Sequence, residues 1–160
     1  MAEDAVRDIV DTLSTFSEEQ LREVQRIVQV LSSGECVNRL HYFARFLGIH
    51  WNEGGQCTMT LGTYNENTYK VAQGGALYTF ADVAIGFEIL KKLRDQEKVF
   101  TVEMKMNFLK QGTGKSLSAS VDFLHWGRTT VVAQCSIIDT QLKTVAHAVG
   151  TFIVVRERET

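Results

Sequence analysis

The sequence predicts an α+β fold in which an antiparallel sheet wraps around one long central helix, with a helical extension at the N-terminus. Its most telling stretch is an almost continuous apolar run, Gln73 to Phe87, whose length suits a buried helix better than a strand. Four later segments alternate apolar and polar residues with period two, the pattern of a sheet with one covered face. Before both, residues 2–13 and 18–32 carry apolar residues at helical spacing. The expected division is a helical extension over residues 1–46 and a domain over residues 47–160.

The chain has 160 residues, enough for one domain with a sizeable core. Its 17 basic and 19 acidic residues leave a net charge of −2, so no nucleic-acid partner is expected. Cys36, Cys57 and Cys135 form no CxxC pair or disulfide framework. His41, His50, His125 and His147 lack ligand spacing, so no metal is expected. Phosphate-loop and nucleophile-elbow motifs do not occur. The apolar run is too short to span a bilayer, which needs about 20 residues, and no membrane partner is expected. Met1-Ala2-Glu3-Asp4 has no basic flank leading to an apolar segment, so a cytoplasmic location is the expectation.

In chain order, residues 2–13 form a weak helix. Ser17 with Gln20 three residues on reads as a capping box before a helix that carries Leu21, Val24, Ile27, Val28 and Leu31. Ser32-Ser33-Gly34 ends it, and a third short helix is expected from Val37 to Phe46. Residues 49–52 and 57–61 flank Glu53-Gly54-Gly55-Gln56 as a hairpin. Residues 62–72 form a polar loop that enters the central helix, expected to run to about Leu93.

The four alternating segments then predict an antiparallel meander. Val99–Leu109 places Phe100, Val102, Met104, Met106 and Phe108 on one face, with Thr101, Glu103, Lys105 and Asn107 on the other. Leu117 to Phe123 and Val131 to Ile137 follow, and the last segment presents Val145, Val149, Thr151, Ile153 and Val155. Asp82 stands out as one carboxylate inside the apolar run, where a charge is costly unless it is partnered or used.

Several of these residues, in this order, resemble the hotdog-fold acyl-CoA thioesterases of the phenylacetate-operon (PaaI-like) type. They are Asn67 in the loop, Gln73-Gly74-Gly75 and Phe80-Ala81-Asp82. The segment Phe100-Thr101 to Asn107-Phe108-Leu109, the turn Gly127-Arg128-Thr129-Thr130, and Ala146 to Phe152 continue the likeness, which covers roughly residues 47–155. The family usually has His where this chain has Gln73, and Gln cannot titrate near neutral pH.

The resemblance implies an enzyme that hydrolyses an acyl-CoA thioester without a metal or separate cofactor. Asp82 matches the catalytic carboxylate, acting as general base or nucleophile. Gly74 matches the residue whose backbone N–H polarises the thioester carbonyl from a helix N-terminus. Asn67 and Thr101 match residues that position carbonyl and water. Gln73 and Gly75 flank the substrate, and Gly127-Arg128 lie where coenzyme A phosphates bind. It also implies a homodimer or homotetramer with the active site across the dimer interface. A non-hydrolysing acyl-CoA-binding or sensing protein on the same fold is the alternative.

Overall fold

The computed structural model describes residues 2–37 and 40–156. The chain divides near Tyr42 into two compact units. In the first, α1 (Ala2–Leu13) and α2 (Glu18–Ser32) are the two predicted helices. The capping box forms at both ends: the Gln20 N–H donates to Ser17 Oγ at 3.3 Å, and the Ser17 N–H donates to Gln20 Oε1 at 2.9 Å. Val6, Ile9 and Val10 on α1, and Leu21, Ile27, Val28 and Leu31 on α2, are exposed. The helix expected over Val37–Phe46 is replaced by a short ladder, β1 (Cys36–Val37) with β2 (Leu40–His41), and by one turn of helix, α3 (Tyr42–Phe46). Asn38 and Arg39 lie outside the described residues. β-Branched Val37 favours the extended conformation, and the stretch is too short for an amphipathic helix to outweigh it.

The second unit holds β3 (Ile49–Trp51), β4 (Cys57–Thr60), α4 (Gly74–Leu90), β5 (Glu97–Phe108), β6 (Ser116–Trp126), β7 (Thr130–Ile138) and β8 (Thr144–Arg156). Its sheet is antiparallel with the order β3-β4-β6-β7-β8-β5. The predicted four-strand meander is therefore corrected to three strands, β6 to β8. β5 pairs with β8 and forms one edge. α4 packs against β5, β6, β7 and β8, so the chain must pass from one edge of the sheet to its middle after β5.

Helix α4 buries Ala76, Leu77, Phe80, Ala81, Ala84, Ile85 and Ile89 against the sheet. Full burial of a side chain such as Phe80 contributes about 2–3 kcal/mol. The helix stops at Leu90 rather than Leu93 because the apolar stripe gives way to Lys91 and Lys92. A turn then closes as the Arg94 N–H donates to Glu97 Oε2 at 2.9 Å.

The inward face of β8 also differs from the expectation. Ala146, Ala148, Gly150 and Phe152 are buried, whereas Ile153 and Val155 are exposed. At Gly150 a small residue is required by crowding from β8 itself and from β5. A Cβ on Gly150 would meet the Phe152 ring at 3.0 Å and the Glu103 carbonyl oxygen at 3.2 Å. The β-branched residues of β8, which dominate the sequence pattern, largely lie on the other face.

The loop into α4 is held by Asn65, which is 2% exposed. Its Nδ2 donates to the Leu47 and Thr60 carbonyls at 2.9 and 2.8 Å, and its Oδ1 accepts from the Gly62 N–H at 3.0 Å. Its own carbonyl accepts from the Gln73 N–H at 2.8 Å, which sets where α4 begins. Asn65→Ala removes all three bonds, with the Thr60 carbonyl keeping only Tyr64 Oη, and should cost about 2–3 kcal/mol of stability. A urea denaturation midpoint unchanged from wild type would rule out this anchoring role.

Candidate active site

Helix α4 begins without a side-chain cap. Gln73 is the N-cap residue, in extended conformation, and its side chain makes no capping bond. The first N–H groups of the helix, Gly74 and Gly75 included, therefore have no intrahelical partner and carry the positive end of the helix dipole. Below them one stripe of α4 stays uncovered. A Cβ at Gly75 or at Gly86 would meet nothing within 4 Å. Tyr78 and Asp82 lie on this side between the two glycines.

Strand β5 runs alongside the stripe and touches it three times. Thr101 Oγ1 donates to Asp82 Oδ1 at 2.7 Å. Tyr78 Oη donates to the Met104 carbonyl. The Phe108 ring lies 3.5 Å from where a Cβ of Gly74 would sit. Residues 82, 78 and 74 are one helical turn apart and fall on one face.

Thr101 reaches Asp82 because of a β-bulge. The β5–β8 register pairs Thr101 with Phe152 and Glu103 with Thr151, leaving Val102 unpaired. Directly opposed residues share a face, so the extra residue reverses the alternation. Thr101 thus lies on the same face as Met104, Met106 and Phe108, not on the opposite face as strict alternation predicts. Phe100, which pairs with Ile153, lies on the outer face.

Asn67 shapes the loop before the helix. Its Oδ1 accepts from the Tyr69 N–H at 2.9 Å and the Val71 N–H at 3.4 Å, so only the amide nitrogen is left to face a ligand. Asn67 and Gly74 line one open cavity of about 370 Å³ together with Leu77, Phe108 and Gly112. Neither Asp82 nor Thr101 lines it. Eight residues of helix separate Gly74 from Asp82, about 12 Å at 1.5 Å per residue. One chain therefore brings Asp82 to Thr101 and Asn67 to Gly74, but not the two pairs to each other.

Gly127 and Arg128 lie in a third place, a cavity of about 470 Å³ beyond the C-terminal end of α4. Lys92, Arg94, Trp126 and Arg156 line it as well, with Glu97 among them. A second bulge, at Leu124 on β6, turns Trp126 onto the helix side, opposite Val131. There Lys92 Nζ stands 5.7 Å from the centre of a Trp126 ring. Arg156 pairs with Glu97 at 2.7 Å. The Arg94 N–H, and then the Arg156 guanidinium, hold the Glu97 carboxyl below the usual glutamate range. Arg128 has no ion-pair partner among the described residues.

Cys57 and Cys135 are both buried. Burial pushes the Cys135 thiol up to about 12, and burial raises Cys57 as well. Neither forms an appreciable thiolate at neutral pH. Among the described residues no cluster of His, Cys, Asp or Glu suits a metal ion. No described helix is long and apolar enough to cross a membrane.

Residues 69–146 match the Thioesterase superfamily. A Bacillus halodurans protein solved with CoA is similar over 91% of this chain and 99% of its own, at 27% identity and a TM-score of 0.80. This is the hotdog fold. A thioesterase from Haemophilus influenzae has a TM-score of 0.69 at 20% identity, over 73% of this chain and 85% of its own. A hypothetical thioesterase from Streptococcus pneumoniae, solved with coenzyme A, is 27% identical with a TM-score of 0.58, over 65% of this chain and 82% of its own. No curated protein matches.

The matched span contains Gln73, Gly74, Gly75, Asp82, Thr101, Gly127 and Arg128, while Asn67 lies two residues ahead of it. Two features of this hotdog chain escaped the sequence reading. Tyr78 and Asn65 are ordinary residues in their local pattern, and only their long-range bonds to Met104 and Leu47 mark them. The cluster around Arg128 was equally hidden, since Lys92, Arg94 and Arg156 come from distant segments.

The Glu97 carboxyl should titrate below the ordinary glutamate value in a side-chain NMR titration. Arg156→Ala should move the midpoint upward without restoring the ordinary value, because the Arg94 N–H still donates. A wild-type midpoint at the ordinary value would remove the ion pair from the description of this cavity.

Proposed function

We propose that the protein hydrolyses an acyl-CoA thioester to the free acid and CoA, with Asp82 as general base or nucleophile. The observation that carries this reading is the Thr101–Asp82 hydrogen bond on the open stripe of α4. It fixes one carboxylate oxygen and leaves the other without a partner among the described residues. A carboxylate held this way beside a solvent-accessible groove is equipped to take a proton from water or to attack a carbonyl carbon. As general base it draws a proton from water, whose oxygen bonds the carbonyl carbon. The C–S bond then breaks, and the CoA sulfur leaves with a proton.

The developing oxyanion is stabilised by the Gly74 N–H at the start of α4. Asn67 contributes its amide nitrogen, and Gln73 and Gly75 flank the substrate. Thr101 orients Asp82 and the attacking water. Arg128, beside Gly127 in the basic cavity, takes phosphates of CoA, and the CoA bound in two structural relatives supports this ligand. No metal or separate cofactor enters the reaction.

The spacing of Gly74 and Asp82 also supports a homodimer. A single thioester cannot span about 12 Å between its attacked carbon and its carbonyl oxygen. A two-fold arrangement that sets two α4 helices antiparallel brings Gly74 and Asn67 of one copy to Asp82 and Thr101 of the other. Edge strand β5, with Phe100 and Val102 exposed, supplies the surface for that contact. A tetramer built from such dimers, the PaaI-like subtype, and a cytoplasmic location complete the proposal.

The test is thiol release from acyl-CoAs of several chain lengths. Asp82→Asn should lower turnover about a hundredfold or more. Thr101→Val, which keeps shape and loses the donor, should cost about tenfold. Undiminished hydrolysis by Asp82→Asn would overturn the catalytic assignment. No release by wild type, together with tight acyl-CoA binding, would establish the non-hydrolysing reading, which Gln73 in place of the family histidine favours. Gln73→His should keep or raise turnover if the residue serves only as a hydrogen-bond donor; complete loss would show a site built around glutamine.

A further inference from the structure

Tyr78 is the bulky residue of the open stripe on α4. Its neighbours there are Gly75, Thr79, Asp82 and Gly86, and a Cβ at either glycine would stand in open space. Tyr78 is 39% exposed, yet its ring is not free to swing, because Oη donates to the Met104 carbonyl on β5. It therefore bridges the trough between α4 and β5. The floor of that trough is apolar: beyond the bulge at Val102, Met104, Met106 and Phe108 face this side, the two methionines half-buried and Phe108 exposed.

Position matters as much as size. Tyr78 is four residues from Gly74 and four from Asp82, about 6 Å from each along the helix axis. Whichever copy supplies the oxyanion donor and whichever the carboxylate, a Tyr78 ring flanks the carbon under attack. An acyl chain leaving that carbon along the methionine-lined trough meets the ring within a few bonds.

We propose that Tyr78 is a specificity-determining residue that blocks the trough and restricts the substrate to short acyl chains. The proposal rests on the thioester-hydrolase reading above and names the substrate class of the same site. The phenol acts through volume, and its hydrogen bond to Met104 keeps that volume in place. Long chains are excluded because the trough ends at the ring, not because their carbonyl is misplaced.

The experiment compares butyryl-CoA with decanoyl-CoA for wild type, Tyr78→Ala and Tyr78→Phe. Wild type should favour butyryl-CoA in kcat/KM. Tyr78→Ala should raise the decanoyl-to-butyryl ratio about tenfold or more, since discrimination by a packed apolar site is of that size. Tyr78→Phe retains the ring and should keep a ratio close to wild type. Binding of the matching S-butyl and S-decyl thioethers of CoA, which cannot be hydrolysed, should show the same change in ratio. That arm separates the two readings, because it reports on the trough even when no substrate turns over. An unchanged ratio in Tyr78→Ala in both measurements, or a wild type that already prefers the long chain, overturns the proposal. If Tyr78→Ala fails to fold, Tyr78→Leu carries the same comparison with a smaller expected change.

Discussion

The hydrogen bond from Thr101 to Asp82 ties together the two halves of this structure that matter most. Helix α4 is apolar along nearly its whole length, and Asp82 is its one interruption before Glu88. A carboxylate there needs a donor, and no residue on the same helix supplies one among the described contacts. The donor comes from an edge strand, 19 residues further along the chain, and only because that strand carries a bulge. Without the unpaired Val102, either Thr101 would face away or the whole methionine and phenylalanine set after it would do so. The bulge lets a single strand present a hydroxyl to the helix and then continue with apolar side chains on the same face.

The same strand explains why the helix is only half covered. The sheet takes Phe80, Ala84, Ile85 and their neighbours. The opposite stripe is kept low by glycines and by the short polar side chains of Thr79 and Asp82, with Tyr78 as the exception. Such a surface loses little by remaining open, and it leaves space for a ligand or a second chain. Because Gly74 and Asp82 share one face of one helix, their separation is set by helix geometry and cannot be closed by side-chain motion. In the proposed reaction, that rigid spacing is what makes a second copy part of the chemistry.

The cavity beyond the end of α4 has a different character. Its cations are contributed by the helix terminus, the β6–β7 turn and the end of β8. Glu97 already neutralises Arg156 and ties down the turn at Arg94. Among the described residues, Arg128, Lys92 and Arg94 have no ion pair. Glu97 thus cancels one of the four cations and leaves the attraction for anions to Arg128, Lys92 and Arg94. Its place beyond the end of α4 keeps this charge apart from the apolar surface beside Tyr78, which suits the proposed substrate with its polyanionic carrier and apolar acyl group.

Much of this was legible from the sequence alone. The length of the apolar run determined that α4 is a helix, the capping box determined where α2 begins, and period-two alternation located β6 and β7 closely. The positions of Gly74, Asp82, Thr101 and Arg128 could be marked, because motif order does not depend on packing. Pairing order and facing were decided by tertiary structure. Alternation cannot reveal an inserted residue, so the bulge at Val102 exchanged the faces expected for Phe100 and Thr101 relative to Met104, Met106 and Phe108. On β8 Val145 is buried as expected, but Ile153 and Val155 lie on the exposed face while Ala148, Gly150 and Phe152 turn inward. Local periodicity records which residues alternate. Which alternating set is buried depends on the distance to the element packed against it, and that distance exists only in the folded chain.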